Sequence, residues 1–129
     1  MKLDINCVRD VLLAVEDNDY NNSLSLSSLR DKLPNYSLDE LEYTCLKLSE
    51  GGFLHVLIAG ALGKNYAVVS RINDLTFQGH EFLDNIRNED NWNKLSTAIK
   101  QGGAASLRAI ASVALDLGTS ALKSKLGLQ

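Results

Sequence analysis

The chain has 129 residues, enough for one small domain-sized core and too few for a multidomain machine. It is 45% hydrophobic and 22% charged with a net charge of −3, which excludes a disordered acidic tail and a basic nucleic-acid wrapper. Two cysteines, Cys7 and Cys45, do not make a disulfide scaffold. Asp4 and Asp10 interrupt the apolar run a secretion signal would need, so two reduced thiols and a cytoplasmic location are expected. The longest weakly charged stretch, 102–122, still holds Arg108 and Asp116 and is rich in Ala, Ser and Gly, so no membrane span is expected.

Residues 4–17 read as a helix, with Ile5, Val8, Leu12 and Val15 at helical spacing and charges between them. Residues 18–22 are a loop by composition. Ser23-Leu24-Ser25-Leu26 alternates polar and apolar, as a very short strand does. Ser27 or Ser28 caps a second helix over 29–33, which Pro34 stops. Ser37 and Glu40 form a capping box. The helix they open carries Leu38, Leu41, Cys45 and Leu48 on one face and closes at Gly51-Gly52. Residues 53–59 and 66–72 read as two strands joined by a long tip over 60–65. Thr76 caps a fourth helix with Phe82, Leu83 and Ile86 on its buried face, and residues 88–91 break it. Trp92, Leu95 and Ile99 begin a fifth helix, with Trp92 either seating it on the core or standing exposed as an interface anchor, and Gly102-Gly103 ends it. A last helical segment runs from Ala104 with Leu107, Ile110, Ala114 and Leu117 in one stripe. Gly118 is expected to interrupt it, with Leu122 and Leu126 as a weak extension.

This order of elements predicts an α+β, mostly helical fold: a winged helix-turn-helix with a two-stranded wing and extra C-terminal helices. The expected division is a winged-helix core over 1–73, supporting helices packed on it over 74–101, and a C-terminal helical segment over 102–129 able to serve as an oligomerisation element.

Leu75-Thr76-x-x-Gly79-x-x-Phe82-Leu83 resembles the helix start common in winged-helix proteins. Met1-Lys2-x-Asp4, the block from Leu75-Thr76-Phe77-Gln78-Gly79-His80-Glu81-Phe82-Leu83-Asp84 through Ile86-Arg87, Trp92-Asn93-Lys94 and the final Leu126-Gly127-Leu128 resemble an uncharacterised family of phage and prophage proteins, a domain of unknown function. The chain is also distantly similar to a small Bacillus winged-helix family with the same Leu-Thr-x-x-Gly and Trp-x-Lys features. Phe77 stands where a Trp is the expected residue. The resemblance implies a winged-helix fold and a phage or prophage setting, and it implies no activity.

A winged helix suggests duplex DNA, with the third helix in the major groove and the wing on the backbone. The charges argue against that simple form. Residues 37–50 carry Lys47 against Asp39, Glu40, Glu42 and Glu50, net −3, and no Asn or Gln stands in that helix to read adenine. The candidate contact residues for a partner or a nucleic acid are Glu40, Tyr43 and Lys47 on the third helix, Lys64 at the wing tip and Arg71 at its base. Residues 92–129 carry Lys94, Lys100, Arg108, Lys123 and Lys125 against Asp116, net +4. The candidate oligomer interface is Leu107, Ile110, Ala114 and Leu117. Two arrangements satisfy that stripe: it packs on its own core, or it pairs with a second copy.

No catalytic residue, cofactor or metal site is expected. Gly60-Ala61-Leu62-Gly63-Lys64-Asn65 has the wrong spacing for a phosphate loop and precedes a strand. His80 and Asp84 share a helix face without further ligands, and the serines fall where caps and turns want them. The expected function is a non-catalytic regulatory or interaction protein that binds itself and a host or phage protein. The alternatives are a DNA-binding transcriptional regulator and an inhibitor of a host defence protein.

Overall fold

A computed structural model describes residues 1–60, 67–102 and 106–128. Three helices come first: α1 (Ile5–Glu16), α2 (Leu26–Lys32) and α3 (Leu38–Glu50). An antiparallel hairpin follows, β1 (Leu54–Gly60) and β2 (Ala67–Leu75), and then α4 (Phe77–Ile86), α5 (Glu89–Gly102) and α6 (Leu107–Lys125). The fold is α+β and mostly helical, with a winged-helix-like arrangement. The chain forms two compact units, Met1–Gly79 and His80–Gln129.

In the first unit α1 packs on α2, α3 and β2, and α3 packs on both strands. The core is Val8, Val11, Leu12 and Val15 from α1, Leu29 from α2, Leu41, Cys45 and Leu48 from α3, and Val69, Ile72 and Leu75 from β2. Each large aliphatic side chain so buried contributes about 2 kcal/mol. Leu38 does not join them. It occupies the first turn of α3, beyond the reach of the core, and is 43% exposed.

Most element ends form where local chemistry places them. Asp4 caps α1, and Ser37 and Glu40 complete the capping box of α3. Gly52 takes φ +83°, and the Phe53 amide reaches back to the Leu48 carbonyl at 2.8 Å, so α3 ends in a Schellman turn. The cap of α2 differs from expectation. Ser25, not Ser27 or Ser28, accepts the Ser28 amide at 3.1 Å, and the helix starts at Leu26. The preceding Leu24 pairs with Ile72 through two backbone bonds of 2.8 Å, so the short strand is a single bridge against β2. The helix-turn-helix link is tied to α1 by the Tyr36 hydroxyl, which donates to Asp10 at 2.7 Å.

The wing is longer than expected, since β2 continues to Leu75. Its buried residues, Val69, Ile72 and Leu75, recur every third position. Two bulges explain this. His55 pairs with Asp74 but Val56 with Ile72, and Leu57 with Arg71 but Ile58 with Val69, so Asn73 and Ser70 are extra residues on β2. Each bulge resets which face the next side chain takes and keeps the apolar residues inward.

In the second unit Phe82, Leu83, Ile86, Trp92, Leu95, Ile110 and Ala114 are buried. Asn88 caps α5, accepting the Asp90 and Asn91 amides at 2.8 and 3.2 Å, so the helix begins at Glu89, three residues before Trp92. Ser106 caps α6, which packs on α5 and runs unbroken through Gly118. Gly118 therefore does not interrupt the helix. It lies against the Asn85 side chain of α4, and a Cβ there would collide with the Asn85 amide.

Candidate interaction surfaces

The outward side of α3 is a stripe of Asp39, Tyr43, Leu46 and Glu50, at spacings of four, three and four residues. It lies opposite the buried Leu41, Thr44, Cys45 and Leu48. Two carboxylates thus bracket an aromatic and a leucine. The single cation of the helix, Lys47, is engaged: its Nζ lies 2.9 Å from Glu50 Oε2 and 5.4 Å from the Tyr43 ring centre. The Glu50 carboxylate holds the Lys47 ammonium above its usual pKa.

Of the expected contact residues, Tyr43 and Lys47 lie together on this surface. Glu40 reaches back to the Ser37 amide at 3.3 Å and serves mainly as part of the cap. Arg71 is also engaged: its Nε donates to Ser23 Oγ and its Nη2 to the Ser23 carbonyl, both at 2.8 Å. That fork pins the loop before α2 to β2 beside the Leu24–Ile72 bridge. Lys64 lies outside the described residues. Sequence reasoning counted Glu42 only within the negative charge of α3 and missed its contact. Its Oε2 accepts the Val69 amide at 3.0 Å, tying α3 to the wing next to the Ser70 bulge. A reach of 27 residues between a carboxylate and a backbone amide has no sequence signature. On the wing itself, Leu57 and Ile58 are 55% and 43% exposed.

Leu75-Thr76-x-x-Gly79 acquires a physical reading. The Thr76 hydroxyl accepts the Gly79 amide at 2.9 Å, capping α4, and donates to the Gly52 carbonyl at 2.6 Å. The Thr76 amide donates to the Phe53 carbonyl at 3.1 Å. A Cβ at Gly79 would run into that same carbonyl oxygen. The motif clamps the start of α4 onto the turn after α3. Phe77, inside the motif, is 80% exposed.

The two thiols are free, buried and unpaired with each other. The Thr44 hydroxyl lies 3.3 Å from Cys7 Sγ and 2.7 Å from the Glu40 carbonyl. Burial pushes the Cys7 thiol up to about 11 and the Cys45 thiol to about 12. Neither supplies a thiolate near neutral pH. Burial also pushes the Tyr36 phenol up, helped by the Asp10 carboxylate. Among the described residues no three His, Cys, Asp or Glu side chains gather as a metal ion requires. No described helix is long and apolar enough to cross a membrane.

On α6, the expected interface residues Ile110 and Ala114 are buried within the chain, and Leu107 and Leu117 are half-buried. On the next stripe around the helix Leu115 and Leu122 are 44% and 58% exposed, while Ala111 and Gly118 are half-buried. Arg108, Lys123 and Lys125 are exposed around it.

Residues 2–105 match the family described as "Hypothetical protein (DUF2513)". An uncharacterized protein of Haemophilus influenzae (strain Rd) is 30% identical over 123 residues, spanning 95% of this chain and 90% of the relative. No solved structure matches the chain.

Proposed function

We propose that this chain, which belongs to the DUF2513 family, is a non-catalytic winged-helix protein that acts through protein contacts. The observation that carries the reading is the outward stripe of α3. In a winged helix this is the side that meets DNA. Here it presents Asp39 and Glu50 around Tyr43 and Leu46, and its lysine is paired with Glu50. Phosphates are repelled by such a surface, since non-specific affinity comes from Lys and Arg that displace counterions. An apolar centre with an acidic border suits a protein partner with exposed cations around an apolar patch. A phage or prophage protein that binds a host or phage protein is the setting suggested by the resemblance of the 75–94 block.

The second part of the proposal is self-association through α6. Ile110 and Ala114 are covered inside the chain, so the contact falls to Leu115 and Leu122. The two parts are tested separately. Fluorescence anisotropy of a labelled duplex at low salt (about 50 mM) should show no saturable binding at micromolar protein. Tight binding that is lost in Lys64→Glu or Arg71→Gln would replace this reading with a DNA-binding regulator using the wing. Sedimentation equilibrium of the full chain should show a dimer that Leu115→Asp/Leu122→Asp converts to monomer, and a monomeric parent chain would refute self-association.

A further inference from the structure

A shallow groove of about 610 Å³ lies between the second half of α1 and the end of α2. Its apolar part is Leu13, Ala14 and Leu33, all half-buried, and its α1 rim is Asp10, Glu16 and Asp17. Among the described residues Lys32 is the only cation lining it, so the charged side chains that line it sum to −2. It lies in the first unit and takes no part in the α3 stripe described above.

We infer that this groove receives α6 of a second copy of the chain, an inference that rests on the proposed self-association. Three observations lead to that occupant. The first is charge. Arg108, Lys123 and Lys125 against Asp116 give α6 a net +2, opposite to the groove. A second α6 would instead bring the same +2, so α6 complements the groove better than it complements itself. The second is pitch. Leu115 and Leu122 are seven residues apart, about 10.5 Å along a helix, and so are Asp10 and Asp17 along α1. The two leucines therefore match the spacing of two aspartates that line the groove, and Lys123 follows the second leucine in sequence. The third is exposure. Leu115 and Leu122 are 44% and 58% exposed, and the groove offers half-buried apolar side chains at its base. This is the helix-in-groove mode of recognition, with anchors on one face and charges along the rim. Reciprocal exchange, each α6 on the other copy's α1 and α2, closes the pair.

A charge swap tests it on the full chain by sedimentation equilibrium. Asp17→Lys and Lys123→Glu should each weaken the dimer about tenfold, and the double variant should recover most of that loss. Leu13→Lys, at the base of the groove, should weaken it by more than about tenfold. Asp17→Asn, which keeps the shape at the end of α1, guards against misfolding and should weaken the dimer less than Asp17→Lys. Circular dichroism checks that each variant is folded. If Leu122→Asp abolishes the dimer while Asp17→Lys and Leu13→Lys leave it intact, the groove is not the receptor and the inference falls, although self-association stands. If the parent chain is monomeric at all concentrations, both fall.

Discussion

Helices α3 and α6 are built with the same local devices and end up in different circumstances. Each starts at a serine cap, Ser37 or Ser106. Each ends with a left-handed glycine, Gly52 at φ +83° or Gly127 at φ +71°, and a Schellman pair of backbone bonds. The hydrophobic residue after each glycine separates them: Phe53 is 7% exposed, whereas Leu128 is 59% exposed. Among its 13 residues α3 buries Leu41, Thr44, Cys45 and Leu48, while α6, with 19, buries only Ile110 and Ala114. Local signals set where a helix begins and stops. How much of it the rest of the chain covers is a tertiary property, and α6 keeps apolar surface in excess of what its own chain uses.

The sharpest way to break this comparison is to truncate one leucine in each helix. Leu48→Ala removes a fully buried side chain and should cost about 2–5 kcal/mol in urea unfolding. Leu122→Ala, at a site 58% exposed, should cost less than about 0.5 kcal/mol when the chain is dilute enough to be monomeric. Equal losses would mean that its own chain holds α6 as firmly as it holds α3.

The two close-approach glycines come next. At Gly79 an added methyl meets the Phe53 carbonyl oxygen, which belongs to backbone and is fixed by the Thr76 amide. Gly79→Ala should therefore cost about 2–3 kcal/mol. At Gly118 the obstacle is the end of the Asn85 side chain, which can rotate away. Alanine also gains about 1 kcal/mol over glycine within a helix. Gly118→Ala should thus be near neutral in thermal melts. A large loss there would show that the Asn85 contact holds α4 and α6 together.

The same contrast governs what could be read from the sequence. The order of elements and the ends of α3 were legible, because Ser37 with Glu40, Gly51-Gly52 and Pro34 act within a few residues of themselves, whereas the caps of α2 and α5 fall on Ser25 and Asn88 instead of the expected positions. Three further things were not legible. The bulges at Ser70 and Asn73 turn a period of two into a period of three, and no residue at either position announces it. Gly118 looks like a helix breaker until the neighbour that needs its missing side chain is known. Arg71 looks free for a partner and Glu42 looks like one more charge on α3, yet each is bound by a group 27 to 48 positions away. The candidate site was thus legible as a charge pattern on α3, and less so as a set of available side chains.

Alkaline pH separates the two units chemically. Cys7, Cys45 and Tyr36 all lie in the first unit, and no Cys or Tyr occurs over 80–129. The thiols keep their protons in the folded chain to about 11 and 12, against an ordinary value of 9.0. Above pH 9 the unfolded chain releases protons that the folded chain still binds, so stability falls as pH rises. The contribution is complete below pH 9 and is lost on approach to pH 11–12. The urea midpoint should accordingly be lower at about pH 10.5 than at about pH 8, with a smaller drop in Cys45→Ala. A midpoint that holds steady would show that the thiols ionise as freely in the folded chain as in the unfolded one.

The smallest effect lies in the second unit and has the opposite sign. Ser96 Oγ is a buried side-chain atom without a hydrogen-bond partner among the described residues. It sits within α5, the helix on which α6 packs. A hydroxyl taken from water without a partner costs about 1–3 kcal/mol, and alanine is the better helix former by a few tenths of a kcal/mol. Replacing the hydroxyl also leaves a gap of roughly one oxygen, which gives back part of the gain. Ser96→Ala should therefore stabilise the chain by about 0.5–1.5 kcal/mol, seen as a higher urea midpoint followed through Trp92 fluorescence. Trp92 is the sole tryptophan and is buried in the same helix, so its emission reports the unit in which the change is made. Loss of stability would mean that the hydroxyl is satisfied, most simply by a backbone carbonyl one turn earlier in α5. The serine would then belong to the helix rather than stand as a polar group left over in its packed face.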